Sequence, residues 1–103
     1  MILVDTSVWV DHLWKNVPPL SEALERGEVT THPFVIGELA CGNLQNRDEV
    51  LHLLLALPSA TVATNEETLL FIERQKLMGK GIGYIDAHLL ASATLTEDTL
   101  LWT

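Results

Sequence analysis

The chain has 103 residues and a mass of 11.4 kDa, which is enough for one domain and too little for two. An apolar fraction of 48% argues against disorder, and no apolar run approaches the ~18 residues of a membrane span. A net charge of −8 argues against a broad basic face for duplex DNA, and suits a chain that holds divalent cations or receives a basic protein partner.

The chain opens on an aliphatic run, Ile2–Val4, which predicts a fully buried strand rather than an alternating one. Thr6 or Ser7 can cap the helix that follows through Val8–Trp14, and the proline pair at 18 and 19 ends it. Strands alternate with pairs of helices along the chain. The next elements are a helix over Pro19–Arg26, a strand over Glu28–Thr31, a helix over Pro33–Ala40 and a helix over Arg47–Leu57 with Asn46 as its cap. The last are a strand over Ala60–Ala63, a helix from the capping box at Thr64–Glu67 to Met78, a helix over Tyr84–Thr94 and a strand over Leu100–Thr103.

Strands separated by helical segments that are long enough to cross over predict an α/β fold. The central sheet is expected to be mostly parallel and flanked by helices. Ligands of such sheets bind beyond the carboxyl ends of the strands. The chain stops at Thr103, just after the last expected strand, where a site residue would be expected.

Three of the fourteen acidic residues lie in apolar surroundings: Asp5, Glu38 and Asp86. Asp5 follows the first strand, and the alternative is that it caps the next helix. Glu38 has apolar neighbours on nearly every side in the sequence, and the alternative is a helix edge that faces water. Asp86 lies in the first turn of its helix, where the helix dipole alone would explain an acid.

Together these three carboxylates are expected at one edge of the sheet. None of them has a Lys or Arg within two residues, so a hard cation such as Mg²⁺ or Mn²⁺ would relieve their repulsion. A cation held in this way lowers the pKa of a bound water and neutralises charge on a phosphate. The pattern therefore predicts hydrolysis of a phosphodiester.

The single cysteine, Cys41, excludes an internal disulfide and any zinc site built on paired thiolates. We expect it to pack in its apolar run. No basic segment precedes the first aliphatic run, so the N-terminus indicates a strand rather than a signal peptide. The expected compartment is the cytoplasm.

Several other side chains have two interpretations. Trp9, Leu13 and Trp14 form an apolar stripe that favours core packing, with part of it available as an interface. The four histidines share no ligand spacing, and a structural role is favoured for His88. Three basic residues in or near the glycine-rich loop Gly79–Gly83 could touch an RNA backbone or could simply be solvated helix ends: Arg74, Lys76 and Lys80.

Over essentially its whole length the sequence resembles PIN-domain endoribonucleases, specifically the toxin subunits of VapBC toxin–antitoxin pairs. The matching segments are Met1–His12, His32–Ala40, Asn43–Leu44, Gly81–Ala93 and Leu100–Thr103. The resemblance implies a three-layer PIN-like fold over residues 1–103 as a single domain. It also implies a metal-dependent endoribonuclease that cuts RNA with Mg²⁺ or Mn²⁺, forms a homodimer and is silenced by a VapB-type antitoxin, with no membrane association.

The resemblance carries the family's metal-binding and catalytic acids onto Asp5, Glu38 and Asp86, and its orienting hydroxyls onto Thr6 and Ser7. Family chains usually continue past the last matched segment with a fourth site acid, a helix and an edge strand. The chain is therefore expected to be truncated at its C-terminus. A second hypothesis follows, a catalytically incomplete PIN-like module that binds an antitoxin-like partner. A phosphate-binding, receiver-like α/β domain is a weaker third, because its expected strand-end lysine is absent.

Overall fold

The computed structural model describes residues 1–103 and has an α/β fold, as predicted. The chain forms three strands and six helices. In order they are β1 (Ile2–Val4), α1 (Thr6–Lys15), α2 (Pro18–Glu25), β2 (Val29–Thr30), α3 (Pro33–Ala40), α4 (Arg47–Ala56), α5 (Asn65–Arg74), α6 (Tyr84–Leu95) and β3 (Leu100–Trp102).

The strands form one parallel sheet in the order β2-β1-β3. The strand β1 is central, and its residues Leu3 and Val4 are fully buried, which is why it is a continuous aliphatic run. Its carboxyl end continues directly into Asp5, whose backbone N–H donates to the Trp102 carbonyl of β3 at 2.9 Å. Asp5 is therefore fixed at the carboxyl edge of the sheet.

Small residues let the central helix α6 pack closely. Ala87, Ala91, Ser92 and Ala93 are all buried, together with Leu89. Short side chains bring the helix backbone close to its neighbours. This helix carries Asp86 in its first turn.

The strand predicted over Ala60–Ala63 does not form. One bridge joins Thr31 to Ser59, and beyond it the backbone N–H groups find side-chain acceptors. Thr61 donates to Thr96 Oγ1 at 2.9 Å, and Ala63 donates to Ser92 Oγ at 3.1 Å. The hydroxyls of Ser92 and Thr96 thus accept the hydrogen bonds that a neighbouring strand would otherwise accept, so the segment stays irregular.

Two helix ends also differ from the prediction. Asn46 precedes α4 in the left-handed conformation with φ 52°, and its side chain makes no capping hydrogen bond. The helix α5 begins with the predicted capping box but ends at Arg74 rather than Met78. Lys76 has φ 53°, a left-handed conformation that cannot continue a right-handed helix.

One prediction about packing is wrong, and another is met in part. Cys41 is exposed rather than packed in the core, because it follows the end of α3. The aromatic stripe of α1 is divided: Trp9 is 4% exposed and packs in the core, whereas Trp14 is 85% exposed. No helix of the chain has both the length and the apolar character needed to cross a membrane.

Candidate active site

Asp5 has two structural tasks at the start of α1. It is the N-cap residue, and its Oδ1 accepts the backbone N–H of Thr6 at 2.7 Å. Its Oδ2 accepts a hydrogen bond from Ser7 Oγ at 3.2 Å. The expectation that Thr6 or Ser7 caps this helix is therefore wrong, and the alternative that Asp5 caps it is confirmed. A carboxylate has about four lone-pair sites, so these two bonds leave acceptor capacity on both oxygens.

Glu38 is bonded to Thr6, the residue that directly follows Asp5. Thr6 Oγ1 donates to Glu38 Oε1 at 2.7 Å, across 32 positions of sequence. Glu38 is exposed, and its hydrogen bond with Thr6 holds it against the start of α1. The alternative of a helix edge in water is thus partly right. Its carboxylate nevertheless points toward the end of β1.

Asp86 makes no hydrogen bond with this pair and does not form a metal-holding group with it. It lies in the first turn of α6, is exposed and accepts no hydrogen bond. A Cβ placed on Gly83 would lie 3.8 Å from Asp86 Oδ2, so the carboxylate turns back toward the N-terminal end of its own helix. No three Asp, Glu, His or Cys side chains approach one another closely enough to hold a metal ion. The structure brings Asp5, Thr6, Ser7 and Glu38 together and leaves Asp86 separate.

The charges of the three acids are uncompensated by protein cations. The chain has two ion pairs, Arg26 with Glu28 and Arg47 with Asp48, and neither involves the candidate acids. Carboxylate and hydroxyl oxygens are the donors that Mg²⁺ and Mn²⁺ prefer. The donor set therefore fits a hard divalent cation in its chemistry, with Asp5 and Glu38 both hydrogen-bonded to Thr6.

His32 is a residue of this region that the sequence analysis did not identify. It is fully buried and is the N-cap of α3, where its Nδ1 accepts the Phe34 N–H at 3.0 Å. Burial, and secondarily the charge of His88, lowers the pKa of His32 from 6.5 to about 4. The ring is thus neutral at pH 7. Because Nδ1 accepts, Nε2 carries the proton and donates to Ser92 Oγ at 3.0 Å. Its only sequence signal is a position directly before a proline that starts a helix.

His88 has the structural role that was favoured for it. It is 5% exposed, and its Nδ1 lies 3.1 Å from Thr68 Oγ1. Thr68 donates its own hydroxyl proton to the Thr64 carbonyl, so His88 Nδ1 must be the donor to Thr68. Burial lowers the pKa of His88.

Arg74, one of the three basic residues considered for RNA contact, lies far from Asp86 along the α5–α6 pair. Arg74 lines a cavity of about 300 Å³ with Thr94 and Leu95, near the C-terminal ends of both helices. At 1.5 Å per residue, Thr94 lies about 12 Å along α6 from Asp86. Arg74 is therefore at the end of the helix pair remote from Asp86.

Comparison with known proteins agrees with the resemblance. A family described as PIN domain matches residues 2–103. The chain is 47% identical over 103 residues to proteins named Ribonuclease VapC32 from two strains of Mycobacterium tuberculosis. The match covers 100% of this chain and 83% of those relatives.

Proposed function

The chain belongs to the PIN-domain family of VapC-type ribonucleases, and on that premise we propose that it is a metal-dependent endoribonuclease toxin of a type II toxin–antitoxin pair. Its reaction is hydrolysis of RNA phosphodiester bonds. Asp5, Glu38 and Asp86 are the proposed metal-binding and catalytic acids. Thr6 and Ser7 are the proposed orienting hydroxyls.

The observation that carries this proposal is the hydrogen bond from Thr6 Oγ1 to Glu38 Oε1 at 2.7 Å. It joins the residue after Asp5 to a carboxylate on a different helix, at the sheet edge where α/β proteins bind ligands. Two acids placed together without a basic partner are costly unless a cation or proton meets them. That cost supports a cation site here.

Each side chain of the proposed site has its own role. Asp5 and Glu38 would hold the cation from the carboxyl end of β1 and from α3, and Asp86 would complete the set from α6. The bound Mg²⁺ or Mn²⁺ supplies a water of lowered pKa and neutralises charge that develops on the phosphate. Ser7 holds Oδ2 of Asp5, and Thr6 holds Oε1 of Glu38, so each hydroxyl fixes one carboxylate orientation.

A second candidate function is supported by the separation of Asp86 from the other two acids. A PIN-like domain with an incomplete set of acids could serve as a binding module that engages an antitoxin-like protein. The net charge of −8 suits a basic partner in either case. Sustained RNA cleavage by the purified chain with Mn²⁺ would exclude the binding module as its sole role. Partner binding without cleavage would favour it.

The experiment that tests the proposal compares Asp5→Asn with Asp11→Asn. Asparagine is as good an N-cap as aspartate, so Asp5→Asn keeps the Thr6 N–H bonded and the helix intact. We expect it to reduce Mn²⁺-dependent cleavage of a single-stranded RNA by at least the roughly 100-fold seen when a metal's outer-shell partner is lost. It should also weaken Mn²⁺ binding.

Asp11→Asn is the matched control, since it removes the same charge from an exposed position of the same helix. Its cleavage rate should stay within about twofold of the parent, because exposed charges contribute little at a distance in salt. Equal cleavage by Asp5→Asn and the parent chain would refute the site.

The partner and compartment belong to the same proposal. We expect a VapB-type antitoxin, a homodimer and a cytoplasmic location. The antitoxin and the RNA substrate follow from the VapC-type relatives. The dimer is an expectation of the family resemblance, and light scattering of the purified chain measures it directly.

A further inference from the structure

Ring and hydroxyl contacts join α3 to α6. Successive contacts advance toward the C-terminus of α3 and toward the N-terminus of α6. His32, before α3, bonds to Ser92 in the second half of α6. Two residues later, the Phe34 ring lies edge-on to His88 with centroids 4.8 Å apart. Moving forward along α3 therefore means moving backward along α6, toward Asp86.

The antiparallel packing of α3 and α6 affects the positions of Glu38 and Asp86. Glu38 is four residues beyond Phe34 on α3, and Asp86 is two residues before His88 on α6. Both lie on the same side of the Phe34–His88 contact, so the spacing of the two acids depends on how these helices are held together. The Tyr84 ring continues the series, with its centroid 4.7 Å from His88.

The His32 ring makes two hydrogen bonds, one to each helix, at the end of the contact series that is farthest from Glu38 and Asp86. His32 Nδ1 caps α3 through Phe34 N–H, and Nε2–H reaches Ser92 Oγ on α6. The same Ser92 oxygen accepts the Ala63 N–H at 3.1 Å. His32 and Ser92 are both fully buried, so water cannot replace either partner.

We infer that His32 is a positioning residue of the proposed nuclease centre, which sets the placement of Glu38 relative to Asp86 by tying the start of α3 to α6. The inference rests on the proposed function for its catalytic meaning. A cap on α3 alone needs only one acceptor, and Asn, Asp or Ser supplies it more commonly than His. A ring with acceptor and donor on opposite sides is needed to cap one helix and bind another.

The test uses His32→Asn, which keeps an acceptor for the Phe34 N–H but is too short to bond Ser92 as well. Spin labels are placed at Glu38→Cys and Asp86→Cys, both exposed positions, in a Cys41→Ser background that removes the one native thiol. Pulsed EPR then measures the label separation without metal or RNA. We expect His32→Asn to broaden the distance distribution and shift it by roughly 1–2 Å, the size of common helix displacements.

A second readout uses unlabelled chain and Mn²⁺-dependent RNA cleavage. We expect His32→Asn to lower kcat about tenfold with KM within about twofold, since a displaced acid affects the reacting centre more than RNA binding. Ser92→Ala removes the same bond from the other side and should act in the same direction. Because both variants remove the same bond, the double variant should lose less than the product of the two single losses.

Leu20→Ala is the stability control, because it opens a cavity under α2 without removing a bond between α3 and α6. Its label distribution should match the parent. An unchanged distribution in His32→Asn, or equal broadening in Leu20→Ala, would overturn the positioning role.

The nuclease proposal and the positioning role of His32 can be refuted independently of each other. A parent chain that does not cleave RNA, combined with a distribution that broadens only in His32→Asn, would overturn the nuclease and support the positioning role.

Discussion

Acid should destabilise this protein through His32 in a window that the structure defines. The ordinary pKa of 6.5 falls to about 4 in the folded chain because the ring is buried and lies near His88. Above pH 6.5 the ring is neutral in both states and contributes no pH dependence. As the pH falls below 6.5, His32 binds a proton in the unfolded chain but not in the folded chain. The free energy of unfolding therefore decreases until about pH 4.

The size of the loss follows from the pKa difference. At 1.36 kcal/mol per pKa unit, linkage gives about 1.4 kcal/mol at pH 5.5 and about 3 kcal/mol at pH 4. Below pH 4 the folded ring is protonated as well, and His32 causes no further loss. A protonated Nδ1 can no longer accept the Phe34 N–H, so the cap of α3 is lost with the titration.

The assay is urea unfolding of the parent chain and His32→Asn at pH 7.5, 5.5 and 4. Carboxylates and His88 titrate in both proteins, so the difference between the two isolates His32. His32→Asn should be less stable at pH 7.5, because Nε2–H of His32 no longer bonds Ser92, and the two stabilities should converge by about 3 kcal/mol toward pH 4. Parallel curves for the two proteins would refute a lowered His32 pKa.

Two further predictions concern α1. Thr6→Val removes the hydroxyl that holds Glu38 while keeping the side-chain shape, and should weaken Mn²⁺ affinity about tenfold, as loss of an outer-shell partner does. Calorimetric Mn²⁺ titration measures it, with Thr94→Val on exposed α6 surface as control, and equal affinities would contradict the role of Thr6. Trp9→Ala should cost about 3–5 kcal/mol of unfolding free energy, whereas Trp14→Ala should change it by less than about 0.5 kcal/mol. Urea unfolding separates the two, and a similar loss for both would mean that Trp14 also packs against the chain.

Local signals predicted most of the elements correctly because their causes are local. Pro33 fixes the start of α3, and the Thr64–Glu67 capping box fixes the start of α5. The run Ala60–Ala63 failed for a nonlocal reason. Its strand composition was correct, but its backbone donors bind Thr96 and Ser92, hydroxyls about thirty positions away in sequence.

The candidate site shows the same division. Apolar surroundings identified Asp5, Glu38 and Asp86 as unusual acids, but could not indicate that Asp5 caps α1 while the hydroxyls of Thr6 and Ser7 bind carboxylates. Three adjacent residues can each cap a helix, and the choice depends on which side chains face another element. For Thr6 the other element is α3, whose Glu38 accepts the Thr6 hydroxyl.

The sequence by itself determined the α/β class and the family and singled out three acids as candidates, because strand runs, helix caps and motif spacing are properties of neighbouring residues. Only the tertiary structure decided which acids meet and what holds them. Asp5 and Glu38 come together through Thr6, Asp86 stays apart, and His32 ties α3 to α6. These contacts join residues that are far apart in the chain, so their geometry depends on how whole helices pack.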